Sequence, residues 1–351
     1  MSSVTSKTVF VGLDYHAESV QVCALGSDGK VLVNVSCPND WRAVAAAVGN
    51  RCGRDVVVQA ALEACCGAAN LAEELIRRCQ WSVDLAHAGY VARMKQSPDK
   101  TDFGDARLLA DLERVGYLPR VWLAPEEVRE LRRLVRYRQA LAKERKNLKL
   151  QIGAALRESR QKAPPTINAW TKPWLAWLAS SAALSPMARH VITCRLTRLT
   201  ALQTEIRQAE KLLEEQTQDD PLVQKLLALQ GIGIVTAATI RARAPTRSVG
   251  RGRFDRFRTG KQLSRFCGLS PRNVSSGQKQ ADAGVIKAGN NELRGILVET
   301  AHRLIRCDER WTALAAQLAR RGKRTNVIIA AVANRWMRWL FHAMQPAAPA
   351  A

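Results

Sequence analysis

The sequence is short of acids, histidines and aromatic residues. Against 54 Lys and Arg stand 31 Asp and Glu, a formal net charge of +23. The five histidines (16, 87, 190, 302 and 342) fall into no metal-ligand spacing, which argues against a zinc site. The nine cysteines are odd in number, form no CxxC pair, and follow no secretory leader. A disulfide framework is therefore excluded, and reduced, buried thiols in a bacterial-type cytoplasm are expected. No apolar run is long enough to span a bilayer and no lipidation motif is present, so no membrane partner is expected. No GxGxxG follows the first strand-like run, and no His–Asp pair stands beside a serine. A dinucleotide fold and a hydrolase triad both lack support.

What is present is apolar substance and positive charge. The hydrophobic fraction of 47% allows a proper core. The cationic surplus predicts a polyanionic partner, with nucleic acid the default. It is also unevenly placed. Residues 1–120 hold 13 Lys/Arg against 14 Asp/Glu, so the remainder carries the whole excess.

The front of the chain reads as alternating strands and helices. Thr8–Asp14, Ser19–Leu25 and Lys30–Ser36 are β-branched runs of strand length, the latter two joined by a Ser27-Asp28-Gly29 turn. A helix at Trp41–Val48, a buried strand at Asp55–Leu62, a helix at Leu71–Cys79, a strand at Trp81–Ala86 and a helix at Asp105–Val115 follow. The order β-β-β-α-β-α-β-α matches a ribonuclease-H-like arrangement. Next, Leu134, Leu141, Leu148 and Ala155 repeat every seven residues along a long helix, Glu126–Arg157, with Arg138 and Arg145 interrupting the adjoining positions. Pro164-Pro165 ends it. A Trp-rich connector, Trp170–Trp177, leads to a second heptad-like stretch through Ile192, Leu196, Leu199, Ile206 and Leu213. The pair forms an antiparallel hairpin, either within the chain or as a dimerisation coil. Helices are expected at Leu222–Leu229, Val235–Arg241, Asn291–Arg306 and Asn326–Phe341. The fold class is thus α/β plus α. It comprises a domain over 1–122, a helical coiled-coil region over 123–218, a mostly α domain over 219–345 and a disordered tail over 346–351.

Four acids fall at informative places. Asp14 closes the first strand, Glu63 ends the fourth, and Asp102 and Asp105 lie in Thr-Asp-Phe-Gly-Asp at the start of a helix. The first and fourth strands of such a sheet are neighbours, and a spacing of three puts Asp102 and Asp105 on one helical face. Converging carboxylates with no basic partner would repel unless hard divalent cations, magnesium above all, neutralise them. One or two such ions per site suit phosphodiester transfer. The competing reading is that each acid only caps a helix or turn.

The basic half carries weaker signals. Gly231-Ile-Gly233 is like the turn of a helix-hairpin-helix, where glycine amides bind a DNA phosphate. Arg241–Arg272 holds ten basic residues and one acid, Asp255; Arg251, Arg253, Arg256 and Arg258 are interleaved with Phe254 and Phe257. Farther on stand Ser275-Ser276-Gly277, an ordinary turn sequence, and Lys287 and Arg294, whose roles are phosphate contact or plain structure.

Together these residues resemble the DEDD transposases, the insertion-sequence family numbered one hundred and ten, along nearly the whole chain. The resemblance is carried by VGLDYH, ALEACCG, KTDFGDARLLA, LQGIGIVTA, and GLSPRNVSSG followed by GVIKAGNNELR. It implies a first domain similar to the Holliday-junction resolvase RuvC, with Asp14, Glu63, Asp102 and Asp105 as magnesium ligands. It implies that Ser276 is a nucleophile forming a 5′-phosphoserine with double-stranded DNA. It further implies a dimer-based or tetrameric assembly in which the acids of one protomer meet the serine of another, and a noncoding bridge RNA. Glu63 is followed here by Ala-Cys-Cys-Gly where the family often has a Thr-Gly-Tyr-like run. The alternatives are a junction-resolving nuclease that uses only the acids and water, and a nucleic-acid binder without catalysis. A sugar-kinase-like ATPase shares the opening strands but needs a second phosphate-binding strand pair, and none is found.

Overall fold

A computed structural model describes residues 7–53, 55–95, 101–180, 182–244, 254, 256–273, 282–286 and 289–345. The chain divides into two compact units, Met1–Pro125 and Glu126–Ala351.

The first unit is a mixed sheet with helices. Its elements run β1 (Lys7–Tyr15), β2 (Ser19–Leu25), β3 (Val31–Pro38), α1 (Trp41–Cys52), β4 (Val56–Glu63), α2 (Ala68–Cys79), β5 (Ser82–Ala86), α3 (Ala88–Met94), α4 (Asp102–Arg114) and β6 (Arg120–Val121). The sheet order is β3-β2-β1-β4-β5-β6. β1 pairs antiparallel with β2 and parallel with β4, which is compatible with a ribonuclease-H-like domain. Val9, Val11, Leu13, Val58 and Leu62 fill the core because β1 and β4 are central strands, covered on both faces. α4 packs on β1 and β2, placing Ala106 and Ala110 beside Cys23 and Leu25. α3 and β6 have no counterpart in the sequence reading. α3 buries only Val91, and β6 is two residues long, so neither leaves a periodic signal.

Among the described residues the second unit is helical apart from one antiparallel pair of strands. α5 (Glu126–Glu158), α6 (Lys172–Ser180) and α7 (Pro186–Thr217) are followed by α8 (Pro221–Leu227), α9 (Ile234–Arg243) and α10 (Gly260–Phe266). β7 (Pro271–Asn273) and β8 (Asp282–Val285) pair antiparallel, and α11 (Asn291–Cys307), α12 (Glu309–Arg320) and α13 (Thr325–Ala343) complete the unit. α5 and α7 pack antiparallel within the chain: Val135 meets Leu213, Leu141 and Leu148 meet Leu199 and Ile206, and Ile152 meets Ile192. The seven-residue repeat expected for α5 lies on its packed side, with Leu141 and Leu148 buried and Leu134 and Ala155 partly buried. The buried residues of α5 are Val128, Val135, Leu141, Leu148, Ile152 and Leu156, a stripe that drifts as a straight 3.6-residue helix does. The first half of α5 also packs on α9, through Ala238 and Ala242. Arg138, at one interrupted position, is matched across the hairpin by Glu210. The Trp-rich connector contains a helix, α6, because Trp174 and Leu178 bury one face of it.

All nine cysteines are free, yet only Cys23 and Cys267 are buried. Cys65, Cys66, Cys194 and Cys307 are exposed, which corrects the expectation of buried thiols: they sit in a turn, on the outer face of α7 and at the end of α11. Among the described residues, no helix is long and apolar enough to cross a membrane.

Candidate metal centre and nucleic-acid surfaces

The sheet register sets the acids. Leu13 pairs with Leu62 across β1 and β4, so the residues that follow, Asp14 and Glu63, lie side by side at the same end of adjacent parallel strands. Gly12 lies two residues before Asp14 and hence on the same face of β1. There it meets the backbone of α4 at Ala106, so closely that a methyl group on Gly12 would overlap the Ala106 carbonyl oxygen. One turn before Ala106 stands Asp102. The close approach at Gly12 thereby delivers the first turn of α4 to the end of β1. Thr101, not Asp102, caps this helix, its hydroxyl accepting a hydrogen bond from the Gly104 amide at 3.2 Å. Asp102 is left to face the strand ends.

A histidine joins the acids. His16 Nε2 lies 3.4 Å from Asp14 Oδ2 and 3.4 Å from Asp102 Oδ2. One ligand atom from each of Asp14, His16 and Asp102 lies within 4.8 Å of the others. Linear spacing could not reveal this site, because it is assembled from the end of β1 and the start of a distant helix. The signal that was there is Asp-x-His, two residues on one face of an extended chain.

Glu63 and Asp105 flank this group. Asp105 is not without a basic partner, contrary to the expectation from sequence: Lys95, just past α3, bonds its carboxylate at 2.7 Å. Lys95 was missed because α3, the helix that ends just before it, was missed. Burial pushes the Asp14 carboxyl above its ordinary value, and the charges of Asp102 and Asp105 push it further, against the pull of His16. The Cys65 thiol is raised by burial and by the charges of Glu63 and Asp14 among its neighbours. The donor set is hard oxygen plus one imidazole around carboxylates that repel each other, and it fits a divalent cation.

Gly231, at φ +77°, and Gly233 form the turn between α8 and α9, with Gly233 capping α9 without a side-chain bond. Arg303 closes this turn from α11, donating to the Gly231 carbonyl at 3.2 Å and to Thr236 Oγ1 at 2.9 Å. Arg256 and Arg258 are exposed, whereas Phe254 is fully buried in the core and is unavailable for stacking on a ligand. Arg294 donates to the Ile286 carbonyl and to Asn291 Oδ1, tying β8 to the start of α11. Ser276, Arg251, Arg253, Lys287 and the tail 346–351 lie outside the described residues.

Comparison with known proteins places these features in context. Residues 11–160 match a family model described as transposase, and residues 223–316 match one described as transposase IS116/IS110/IS902 family. The chain is 30% identical over 299 residues to a probable family 20 transposase of Pseudomonas aeruginosa, covering 80% of this chain and 82% of that protein. It is 26% identical over 336 residues to the transposase for insertion sequence element IS1111A of Coxiella burnetii, covering 94% and 88%. It is 28% identical over 283 residues to the transposase for insertion sequence element IS1328 of Yersinia enterocolitica, covering 79% and 81%.

Proposed function

The chain belongs to the IS110 family of transposases, and from that premise we propose that it mobilises an insertion sequence by magnesium-dependent cleavage and exchange of DNA strands. The observation that carries this reading is the convergence of Asp14, His16 and Asp102 within 4.8 Å of one another, with the charge of Asp105 acting on Asp14 and Glu63 closing the neighbouring strand. The first unit is then a RuvC-like domain whose four acids hold one or two magnesium ions. When bound, the metal supplies charge neutralisation at a phosphate. The protein's own part is to orient those carboxylates, with Lys95 fixing Asp105 and His16 bridging Asp14 to Asp102.

Serine is a weak nucleophile at neutral pH, and it needs the phosphate's charge offset before attack. Ser276 Oγ would bond to phosphorus as the bond to the 3′ oxygen breaks, leaving a 5′-phosphoserine and a 3′-hydroxyl that takes up the proton. Rejoining reverses the step on a new 3′ end. Residues 219–345 are the domain that brings this serine, and residues 123–218 a coiled-coil region for a dimer or tetramer that mixes acids and serines of different protomers. A noncoding bridge RNA is the proposed guide, and the bacterial cytoplasm, at the nucleoid, the place of action. The Gly231–Gly233 turn and Arg251, Arg253, Arg256, Arg258, Lys287 and Arg294 are the proposed backbone contacts, Arg294 by way of the turn it holds.

The test is a cleavage and strand-exchange assay with Ser276→Ala, together with sequencing of RNA that co-purifies with the protein. A covalent protein–DNA adduct present in the parent and absent in the variant supports the serine. Cleavage that survives the substitution turns the reading to a junction nuclease using water. Asp102→Asn with an unchanged DNA phenotype would leave only a nucleic-acid binder. A discrete transcript from DNA flanking the gene supports guidance, and random RNA counts against it.

A further inference from the structure

Arg310, Arg335, Arg338 and His342 line, with the Trp339 indole, a surface cleft of about 370 Å³ in the second unit. Arg310 stands in the first turn of α12. Arg335, Arg338 and His342 follow one another at three and four residues along α13, so they share a face. The opposite face of α13 buries Val332, Ala333, Trp336, Met337 and Leu340 in the core, which leaves the cationic row no packing role.

Two further observations separate this cleft from an ordinary solvated surface. Arg310 is held: its guanidinium carbon lies 5.1 Å from the Trp311 ring centre and 5.5 Å from that of Trp339, and the two indoles meet nearly edge-on at 6.3 Å. Such stacking restrains a side chain that would otherwise lose rotamer freedom on binding, so the charge is set in place beforehand. The second observation is the missing counter-charge. Between Arg310 and Ala351 the sequence contains no Asp or Glu. Among the described residues no ion pair reaches Arg310, Arg335 or Arg338, and no carboxylate lines the cleft. Three guanidinium groups around one concavity repel each other, and no ion pair among the described residues offsets that.

The chemistry that offsets it is a row of phosphates. Guanidinium binds phosphate through paired N–H donors, which ammonium cannot do. Seven residues of helix advance about 10 Å, while the phosphates of one strand advance about 3.4 Å each along a duplex axis. The row on α13 therefore spans about three phosphate steps. We propose that this α12–α13 cleft is a binding site for the phosphodiester backbone of one nucleic-acid strand, built from residues outside the motifs that mark the transposase. It rests on the transposase reading only for the identity of the partner as nucleic acid.

The experiment is equilibrium binding of the full-length protein to a duplex DNA oligonucleotide and, separately, to a single-stranded RNA oligonucleotide, across a range of salt concentrations. The double variant Arg335→Ala with Arg338→Ala removes two exposed cations, and Arg335→Lys with Arg338→Lys keeps the charge. On the strand that occupies the cleft, the alanine variant flattens the plot of log affinity against log salt by about 1.8 if that strand is duplex and about 1.4 if it is single. The lysine variant restores most of the slope. Unchanged slopes on both probes, with the parent binding normally, overturn the cleft and leave the transposase reading standing. A parent that binds neither probe overturns both.

Discussion

Gly12 on β1 and Ala106 on α4 touch backbone to backbone, leaving no space for a single methyl group between strand and helix. This contact decides where Asp102 and Asp105 sit, because they occupy the turn of α4 just before it. Gly12→Ala must therefore displace the helix rather than a flexible side chain. Overpacking of a rigid contact costs about 1–3 kcal/mol, or more. The expected outcome is a lowered unfolding midpoint in chelator together with loss of the further rise that magnesium gives the parent. A variant that melts normally and keeps that rise would show that α4 is not held at Gly12.

The same contact illustrates how much was legible beforehand. β1 and β4 read clearly from the runs Thr8–Asp14 and Asp55–Leu62, since central strands leave a nearly continuous apolar signature, while β2, β3 and β5 read from shorter β-branched runs. Asp14 and Glu63 followed from ending those strands. Gly12 was read only as a glycine without a phosphate-loop neighbourhood, because its partner lies in a distant helix. α12 went unread because its buried set, Trp311, Ala315 and Leu318, includes an alanine, which marks a helix face weakly. Lys95 reaches the site through a tertiary contact with α4 that no local pattern announces, and His16 through one for which Asp-x-His is a faint local sign.

Lys95 holds Asp105 at 2.7 Å while both side chains are largely covered, at 26% and 15% exposure. Lys95→Met removes the cation that is paired with Asp105. A half-covered pair sits between surface and buried cases, so the metal-free protein is expected to lose about 1–2 kcal/mol. Divalent binding is expected to tighten, since the ion then meets one more uncompensated negative charge. Thermal unfolding in chelator and titration calorimetry with magnesium measure the two effects. Weaker metal binding at unchanged affinity for nucleic acid would instead mean that Lys95 positions Asp105 for the ion.

His16 supplies nitrogen between two carboxylate oxygens, each 3.4 Å away. Imidazole suits transition metals better than it suits magnesium, which prefers oxygen; manganese, though chiefly an oxygen-binding ion, belongs to that transition series. His16→Ala should therefore weaken manganese binding more than magnesium binding, by about tenfold if the ligand contributes about 1.4 kcal/mol. The readout is electron paramagnetic resonance of bound manganese, in which the nitrogen coupling present in the parent should vanish in the variant. If no nitrogen coupling appears in the parent, His16 only orients Asp14 and Asp102.

Asp14 gives the site a pH dependence whose sign can be worked out. Burial, then repulsion from Asp102 and Asp105, raises its pKa in the folded protein, with His16 pulling the other way. The folded state thus binds a proton that the unfolded chain has already released. Stability belonging to that proton is present below the ordinary carboxylate value and is lost as pH rises through the raised one. The metal-free protein should accordingly become less stable across this window, and Asp14→Asn should remove that loss, leaving the variant more stable than the parent at neutral pH in chelator. Magnesium acts in the opposite sense, because it must displace the same proton. Its stabilising effect should fade as the pH drops into the window in the parent and be absent at every pH in the variant. Paired unfolding curves, with chelator and with magnesium from acid to neutral pH, test both halves. An Asp14→Asn protein that is less stable than the parent in chelator would mean that the carboxylate holds the fold together through its bond to His16, rather than being strained by its neighbours.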